Sequence, residues 1–303
     1  MMETKICVID EELSSRDVDD EPRTTPAVIY TVDSFSNGIA FGQQKLESQV
    51  DPRDFLCLRL KDDVELIRLR SRYSLHKQNP LHELELHLMR LSQQGVLGSA
   101  EVYFGTTTDP FFPFEGKFDA SMKFLELFKR YTPGLLTVQT RSPLLVIAMP
   151  VLKKLGEHAA VTIGIETCDE EVVRKYTPGL PRITERLQCA RALRRFGVEV
   201  TLQVAPLLPY GDWRGDAARF ADLLIESADY IYVRPMMSGE EREDRRTTSP
   251  ELAQALSKDR RFHWLRPDAA TPLISAIEER APEKLLAVKR RHLQRRQMEM
   301  FAA

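Results

Sequence analysis

The sequence predicts an α/β fold built on parallel strands, and three observations carry that expectation. Short β-rich segments alternate with amphipathic helical segments from about residue 64 to residue 233. The breaks between them fall on glycine, proline and short polar residues, the usual turn formers. Hydrophobic residues make up 43% of 303 residues, enough for a substantial core, and charged residues 29%. Strand–helix repetition of this kind implies right-handed crossovers, in a barrel or an open sheet. Length alone admits one large barrel or two smaller domains.

Taken in order, residues 1 to about 25 are acidic and turn-rich and read as a loose arm. Ala27–Val32 and Ile39–Phe41 are candidate accessory strands around a Ser36-Asn37-Gly38 turn. Phe55–Leu60 and Val64–Leu69 are strand candidates joined by Lys61-Asp62-Asp63. A helix follows, with Asn79 as its cap, Pro80 at its first position, Leu81, Leu84, Leu88 and Leu91 as its buried stripe, and Gly95 at its end. Glu101–Phe104 is a strand, and residues 118–130 form a helix with Phe118, Met122, Leu125 and Phe128 on one face. Strands at Leu135–Val138, Val161–Ile165, Val198–Val204 and Tyr230–Val233 alternate with helices at Pro150–Leu155, Arg182–Phe196 and Asp216–Glu226. Gly197 closes the longest of these three helices. Counting the strand at 64–69 gives six parallel strands. Residues 238–250 form a charged linker, Ser249-Pro250 opens a small helix, and the tail from about 272 to 300 is helical and basic. The division is then an arm with accessory strands over 1–60, a barrel over 61–237 and a basic helical extension over 238–303.

The formal net charge of −2 leaves no overall nucleic-acid or membrane footprint, although the basic tail offers a weak phosphate-binding surface. No apolar run reaches the roughly 20 residues needed to cross a bilayer. The start, MMETKICVIDEELSSRD, lacks a signal peptide's basic end and apolar core, so a cytoplasmic protein is expected. The four cysteines, Cys7, Cys57, Cys168 and Cys189, form no C-x-x-C pair and are expected as free thiols.

In a parallel α/β fold the ligand crevice lies at the C-terminal ends of the strands. Read along those ends, the chain offers Thr107, Thr108 and Asp109, then Gln139, Thr140, Arg141 and Ser142. Glu166 and Thr167 follow, then Ala205 and Pro206, and last Arg234. Polar groups recur at these ends while the strand interiors are read as apolar. The alternative is that the Thr106–Asp109 run only satisfies a turn. Converging on one mouth, the set suits a small ligand bearing hydroxyls, an amine and a carboxylate.

Several spaced runs together resemble a known family. FGTTTDPFFPFE is similar to the T-D-P-Y-Q-P-x-E signature of the spore photoproduct lyase-like branch of the radical S-adenosylmethionine (SAM) superfamily. TVQTRSP, then VTIGIETCDEEVVRKYTPGLPRITERLQCARALRRFGVEVTLQVAPLLP, then YIYVRP follow in that branch's order, with Thr177-Pro178 where Glu-Pro is usual. The resemblance covers about 95 to 235. It implies a partial (β/α)6 TIM-like barrel holding SAM against a [4Fe–4S] cluster. Carried over, Thr107, Thr108 and Asp109 would hold the methionine amino group, and Thr140 and Ser142 would border the next edge. Glu166 would lie near the ribose, Arg186 would meet the carboxylate, and Ala205, Pro206 and Arg234 would flank the adenine.

One departure stands out. The family holds its cluster with C-x3-C-x2-C after the first barrel strand, and the corresponding loop here, SRYSLHKQN at 71–79, has no cysteine. Three readings follow from it. The chain is a barrel without radical chemistry that binds SAM, a nucleotide or a protein partner. Or it is a radical enzyme whose cluster has unusual ligands or comes from a partner. Or it is a non-radical enzyme in which Asp109 or Glu166 is a general base near Arg141 or Arg234.

Overall fold

The computed structural model describes residues 55–60, 63–68, 80–95, 97–105, 109–111, 118–236 and 250–286. The accessory strands at 27–41, the loop at 71–79, Thr106–Thr108, the linker at 237–249 and the tail from 287 lie outside them. So do the side chains of Leu81, Leu84 and Phe118.

Seven strands form one sheet: β1 (Phe55–Leu60), β2 (Asp63–Arg68), β3 (Ala100–Phe104), β4 (Leu135–Thr140), β5 (Ala159–Gly164), β6 (Glu199–Val204) and β7 (Tyr230–Val233). Their spatial order is β2-β1-β3-β4-β5-β6-β7. From β3 to β7 each strand pairs parallel with the next. That is the mixed α/β architecture expected, a partial TIM-like fold.

The start of the sheet departs from six consecutive parallel strands. Only two residues separate β1 from β2, too few for a crossover, so the two pair as an antiparallel hairpin with Leu60 opposite Asp63. The other edge of β1 pairs antiparallel with β3, Leu56 opposite Phe104. β2 therefore runs in the same direction as β3 but is separated from it by β1. At the opposite edge Leu285 bridges Ile231, and Leu286 N donates to the Ile231 carbonyl at 2.8 Å, extending the sheet past β7.

Among the described residues, eight α-helices supply the crossovers and the C-terminal cap: α1 (Pro80–Gln93), α2 (Phe118–Arg130), α3 (Met149–Leu155), α4 (Glu170–Tyr176), α5 (Ile183–Arg195), α6 (Ala217–Ser227), α7 (Pro250–Lys258) and α8 (Thr271–Arg280). Their termini follow local chemistry. Asp169 caps α4 by accepting from the backbone N–H of Glu171 and Val172. Glu185 reaches back from the first turn of α5 to accept from Arg182 N. Gly95 and Gly197 end α1 and α5 in the left-handed conformation that a side chain would strain. The two-turn α4 and the 3₁₀ turn at Pro143–Ala148 are not among the elements expected from the sequence.

Side chains alternate across the sheet. Val102, Phe104, Leu136, Val138, Val161, Ile163, Val200, Leu202 and Val204 are buried in the main apolar core, together with Leu125, Phe128, Leu152, Leu187 and Leu224 from the helices. Leu88 and Leu91 of α1 join the same core, as expected of its stripe. The intervening positions of β4 to β6 are Thr137, Gln139, Thr162, Thr201 and Gln203, buried as well. The strand interiors are therefore not uniformly apolar. The sheet has an apolar face and a polar one.

Candidate functional site

The buried polar groups concentrate where β3 to β6 end. Asp109, half-buried beyond β3, accepts from Thr140 Oγ1 at 2.6 Å, from Arg141 N at 2.6 Å and from Phe111 N at 2.9 Å. The preceding turn depends on Gly105 (φ 96°), where a Cβ would run into the Gln139 carbonyl and the Pro110 ring. Ser121 Oγ on α2 donates to the Pro110 carbonyl at 2.6 Å and fixes the segment from below. Asp109 thus ties the end of β3 to the end of β4. Burial pushes its carboxyl above the usual range, against the three hydrogen bonds, which pull the other way.

Thr140 and Ser142 are fully enclosed, and their hydroxyls serve the local turn. Thr140 Oγ1 accepts from Ser142 N at 2.9 Å while donating to Asp109, and Ser142 Oγ accepts from Leu144 N at 3.3 Å. Arg141 points the other way, across the sheet. Its Nε donates to Glu166 Oε1 at 2.6 Å, and its Nη2 reaches the Ala205 carbonyl at 3.5 Å.

Glu166 is 0% exposed and is held from two sides. Arg141 takes one oxygen, and Arg186 Nη1, reaching in from α5, takes the other at 2.8 Å. The same Nη1 donates to the Gly164 carbonyl at 2.6 Å. Burial alone would raise the Glu166 carboxyl, but the two guanidiniums and their hydrogen bonds outweigh it and hold it below the ordinary range. Gly164 is required beneath the pair, since a Cβ there would sit 2.9 Å from both Arg141 Nε and Glu166 Oε1.

Among the described residues, the Nε and Nη2 of Arg186 have no hydrogen-bond partner, although the residue is 0% exposed. An unpaired buried donor costs on the order of 1–3 kcal/mol, more when charged. Such a group suits an anionic ligand atom.

The chain after β6 folds over this edge. The Ala205–Pro206 peptide is cis, Leu208 N donates to the Glu166 carbonyl at 2.9 Å, and Thr167 Oγ1 donates to the Pro209 carbonyl at 2.5 Å. Arg234 anchors the same loop through its backbone, donating to the Val204 carbonyl and accepting from Leu207 N, each at 2.9 Å. The structure thus brings Asp109, Thr140, Arg141, Ser142, Glu166, Arg186, Ala205, Pro206 and Arg234 to one edge of the sheet. Thr107 and Thr108 lie outside the described residues. Thr137, Thr162, Thr201 and Gln203 were missed, although the period-two pattern of LLTVQT, AAVTIG and EVTLQV carries the signal.

Among the described residues, Cys168 and Cys189 do not make an iron–sulfur donor set. Among the described residues no three His, Cys, Asp or Glu side chains converge to hold a metal ion. Burial pushes both Cys168 and Cys189 up to about 11, away from the thiolate form a cluster needs. Cys168 lies beside the Tyr210 carbonyl, and Cys189 is buried on α5. Among the described residues no helix is long and apolar enough to cross a membrane.

Comparison with known proteins gives the following. No family model matches the chain. An uncharacterized protein, ORF301 of Acidianus two-tailed virus, is 26% identical over 133 residues, 44% of this chain and 43% of that protein. The match thus spans less than half of that relative's length. Among solved structures, a Tyr-to-Phe mutant of spore photoproduct lyase superposes with a TM-score of 0.47 at 13% identity, covering 70% of this chain and 69% of that one. A Cys-to-Ser mutant of the same enzyme gives 0.44 at 14% identity, with the same coverage.

Proposed function

We propose that the chain binds SAM, or an amino-acid-bearing nucleotide much like it, at the C-terminal edge of β4 to β6. In this reading it is a radical SAM-type barrel that does not cleave the sulfonium. The observation that carries the proposal is the unpaired Nε and Nη2 of the buried Arg186. A carboxylate matches that fork in charge and in geometry. The ordered series of motifs between residues 95 and 235 supports the choice of ligand.

The roles follow from what each group has left to give. Arg186 takes the ligand carboxylate. Asp109, with Thr107 and Thr108 beside it in sequence, takes the amino group. Glu166, fully buried with one arginine on each oxygen, orients Arg186 and Arg141. Ala205, Pro206 and Arg234 line the adenine side. SAM itself would supply a sulfonium and an electrophilic methyl or adenosyl carbon, and no step through an iron–sulfur cluster is assigned, because the described thiols do not fit one.

The test is equilibrium dialysis of the full chain against SAM without oxygen, followed by dithionite and quantification of 5′-deoxyadenosine. The proposal expects retained, intact SAM. Release of 5′-deoxyadenosine would overturn the non-cleaving part, and failure to retain SAM would overturn the binding itself.

A further inference from the structure

The surface where α7 ends carries a basic and aromatic patch that lies outside the strand-end site. Between Lys258 and Asp268 the chain places four cations, Lys258, Arg260, Arg261 and Arg266, against two carboxylates. All four cationic residues are exposed. Asp259 is already taken by Lys175 Nζ at 2.6 Å and by the Tyr176 hydroxyl, and Asp268 is exposed at the far end of the stretch. Among the described residues, Lys258, Arg260 and Arg266 make no ion pair.

Aromatic rings lie among these charges. Phe262 is 57% exposed. Trp213 is half-buried, its ring 6.0 Å from that of His263 and 5.2 Å from the Arg214 guanidinium. Its Nε1 donates to the Ala269 carbonyl at 2.8 Å, which ties the two stretches together. Burial, then Arg261 and Arg266, hold the His263 ring below its ordinary range, so both guanidiniums are close to it. Trp264 beneath is fully buried, 4.8 Å from the Tyr210 ring, and gives the patch a rigid floor. Unpaired cations around exposed rings suit an anionic segment that also carries apolar side chains.

This chain has such a segment of its own. Between Asp10 and Glu21 lie seven carboxylates and one arginine, with Leu13 and Val18 among them. The chain enters β1 at the edge of the sheet where β3 ends, since Leu56 is opposite Phe104. Leu252 and Leu256 of α7 pack with Tyr176, Leu208 and Met236, which lie beyond the same ends of β5, β6 and β7. Five strand spacings separate β1 from β7, roughly 24 Å. The 33 residues between Glu21 and Phe55 span at most on the order of 110 Å, several times that distance.

We propose that residues 10–21 dock on this patch within the same chain, carboxylates against Arg260 and Arg266 and apolar side chains against Phe262. The contact is held by charge and does not depend on what binds at the strand ends.

The test is zero-length carbodiimide cross-linking of the full chain, read by peptide mass spectrometry. Lys175 and Asp259, 2.6 Å apart, supply an internal control link. Lys258 should link to Asp17, Asp19, Asp20 or Glu21, with a yield that falls about fivefold between about 50 and about 500 mM salt. Arg260→Glu combined with Arg266→Glu should lower the yield about fivefold as well and spare the control link. If that double variant does not fold, Asp17→Asn, Asp19→Asn, Asp20→Asn and Glu21→Gln together leave the patch intact. Amide exchange at residues 259–265 should then quicken about threefold over the wild type.

A control link without any link from Lys258 to the segment would overturn the proposal. So would a yield that ignores both salt and the arginine changes, or amide exchange unaltered by the four neutralising substitutions. In a mixture of unlabelled and heavy-nitrogen chains, links joining light to heavy peptides would give the segment to a second copy and overturn docking within one chain. A fluorescent single-stranded oligonucleotide that binds the wild type and the neutralised variant equally, and is released by the arginine changes, would assign the patch to nucleic acid and overturn it too.

Discussion

Two carboxylates sit at the same edge of this sheet, at strand ends separated by β4, and have opposite fates. Glu166, beyond β5, is gripped by two guanidiniums, and its carboxyl is held down despite complete burial. Asp109, beyond β3, is held by two backbone N–H groups and one hydroxyl, and burial pushes its carboxyl up. The residue types are nearly the same, but the partners differ in charge. Backbone N–H groups, a hydroxyl and the lesser pull of Arg141 orient Asp109 without offsetting its burial, whereas two guanidiniums bonded directly to Glu166 do offset it. Glu166 is therefore a fixed charge, and Asp109 is the carboxylate whose ionisation its surroundings leave unsecured.

The largest effect should come from Glu166→Gln. It leaves Arg141 and Arg186 buried without their counter-charge, and breaking such a cluster costs about 3–5 kcal/mol, measurable by urea unfolding at neutral pH. A loss under 1 kcal/mol would mean that solvent or another anion reaches the cluster. Asp109→Ala strips the acceptor from three donors at a half-buried site and should cost about 2–3 kcal/mol.

The pH dependence of the two losses should run in opposite directions. A depressed carboxyl contributes stability above its ordinary range, and that contribution is lost as pH falls through the folded-state value. The Glu166→Gln penalty should therefore shrink in acid. A raised carboxyl contributes most at low pH and loses that contribution as pH rises through the folded-state value. The Asp109→Ala penalty should therefore shrink toward neutrality. Parallel profiles for the two variants would break the contrast.

Gly164→Ala sharpens the same comparison on the Glu166 side. Its Cβ would press on Arg141 and Glu166 together, at a cost of about 2 kcal/mol, with Asp109 and its turn unmoved. Ser121→Ala acts on the Asp109 side alone by freeing the Pro110 carbonyl, and should cost about 1 kcal/mol. Both are readable as shifts of the urea midpoint.

Much of this was legible in the sequence, for physical reasons. Helices such as Ile183–Arg195 announce themselves by an amphipathic period and a closing glycine, and strand ends by polar residues after an apolar run. The grouping of Asp109, Arg141 and Glu166 at one edge followed from parallel topology alone. What sequence did not show was pairing. Nothing in FLCLRL says that β1 wedges between β2 and β3, because strand order depends on long-range partners. Nor does the sequence say that Arg186, at the first turn of a helix, reaches through to Glu166. The polar rows of β4 and β6 were written in plain alternation, as in TVQT and VTLQV. An apolar interior, the usual expectation for parallel strands covered on both faces, hides that alternation.

The most direct test of the account is calorimetric titration of SAM into the full chain and into Arg186→Lys, which keeps the charge but lacks the guanidinium fork. The account predicts saturable heat with the wild-type chain and at least a tenfold weaker affinity in the variant, with both proteins folded by thermal unfolding. No heat with the wild-type chain, or equal affinity in the two, would contradict it.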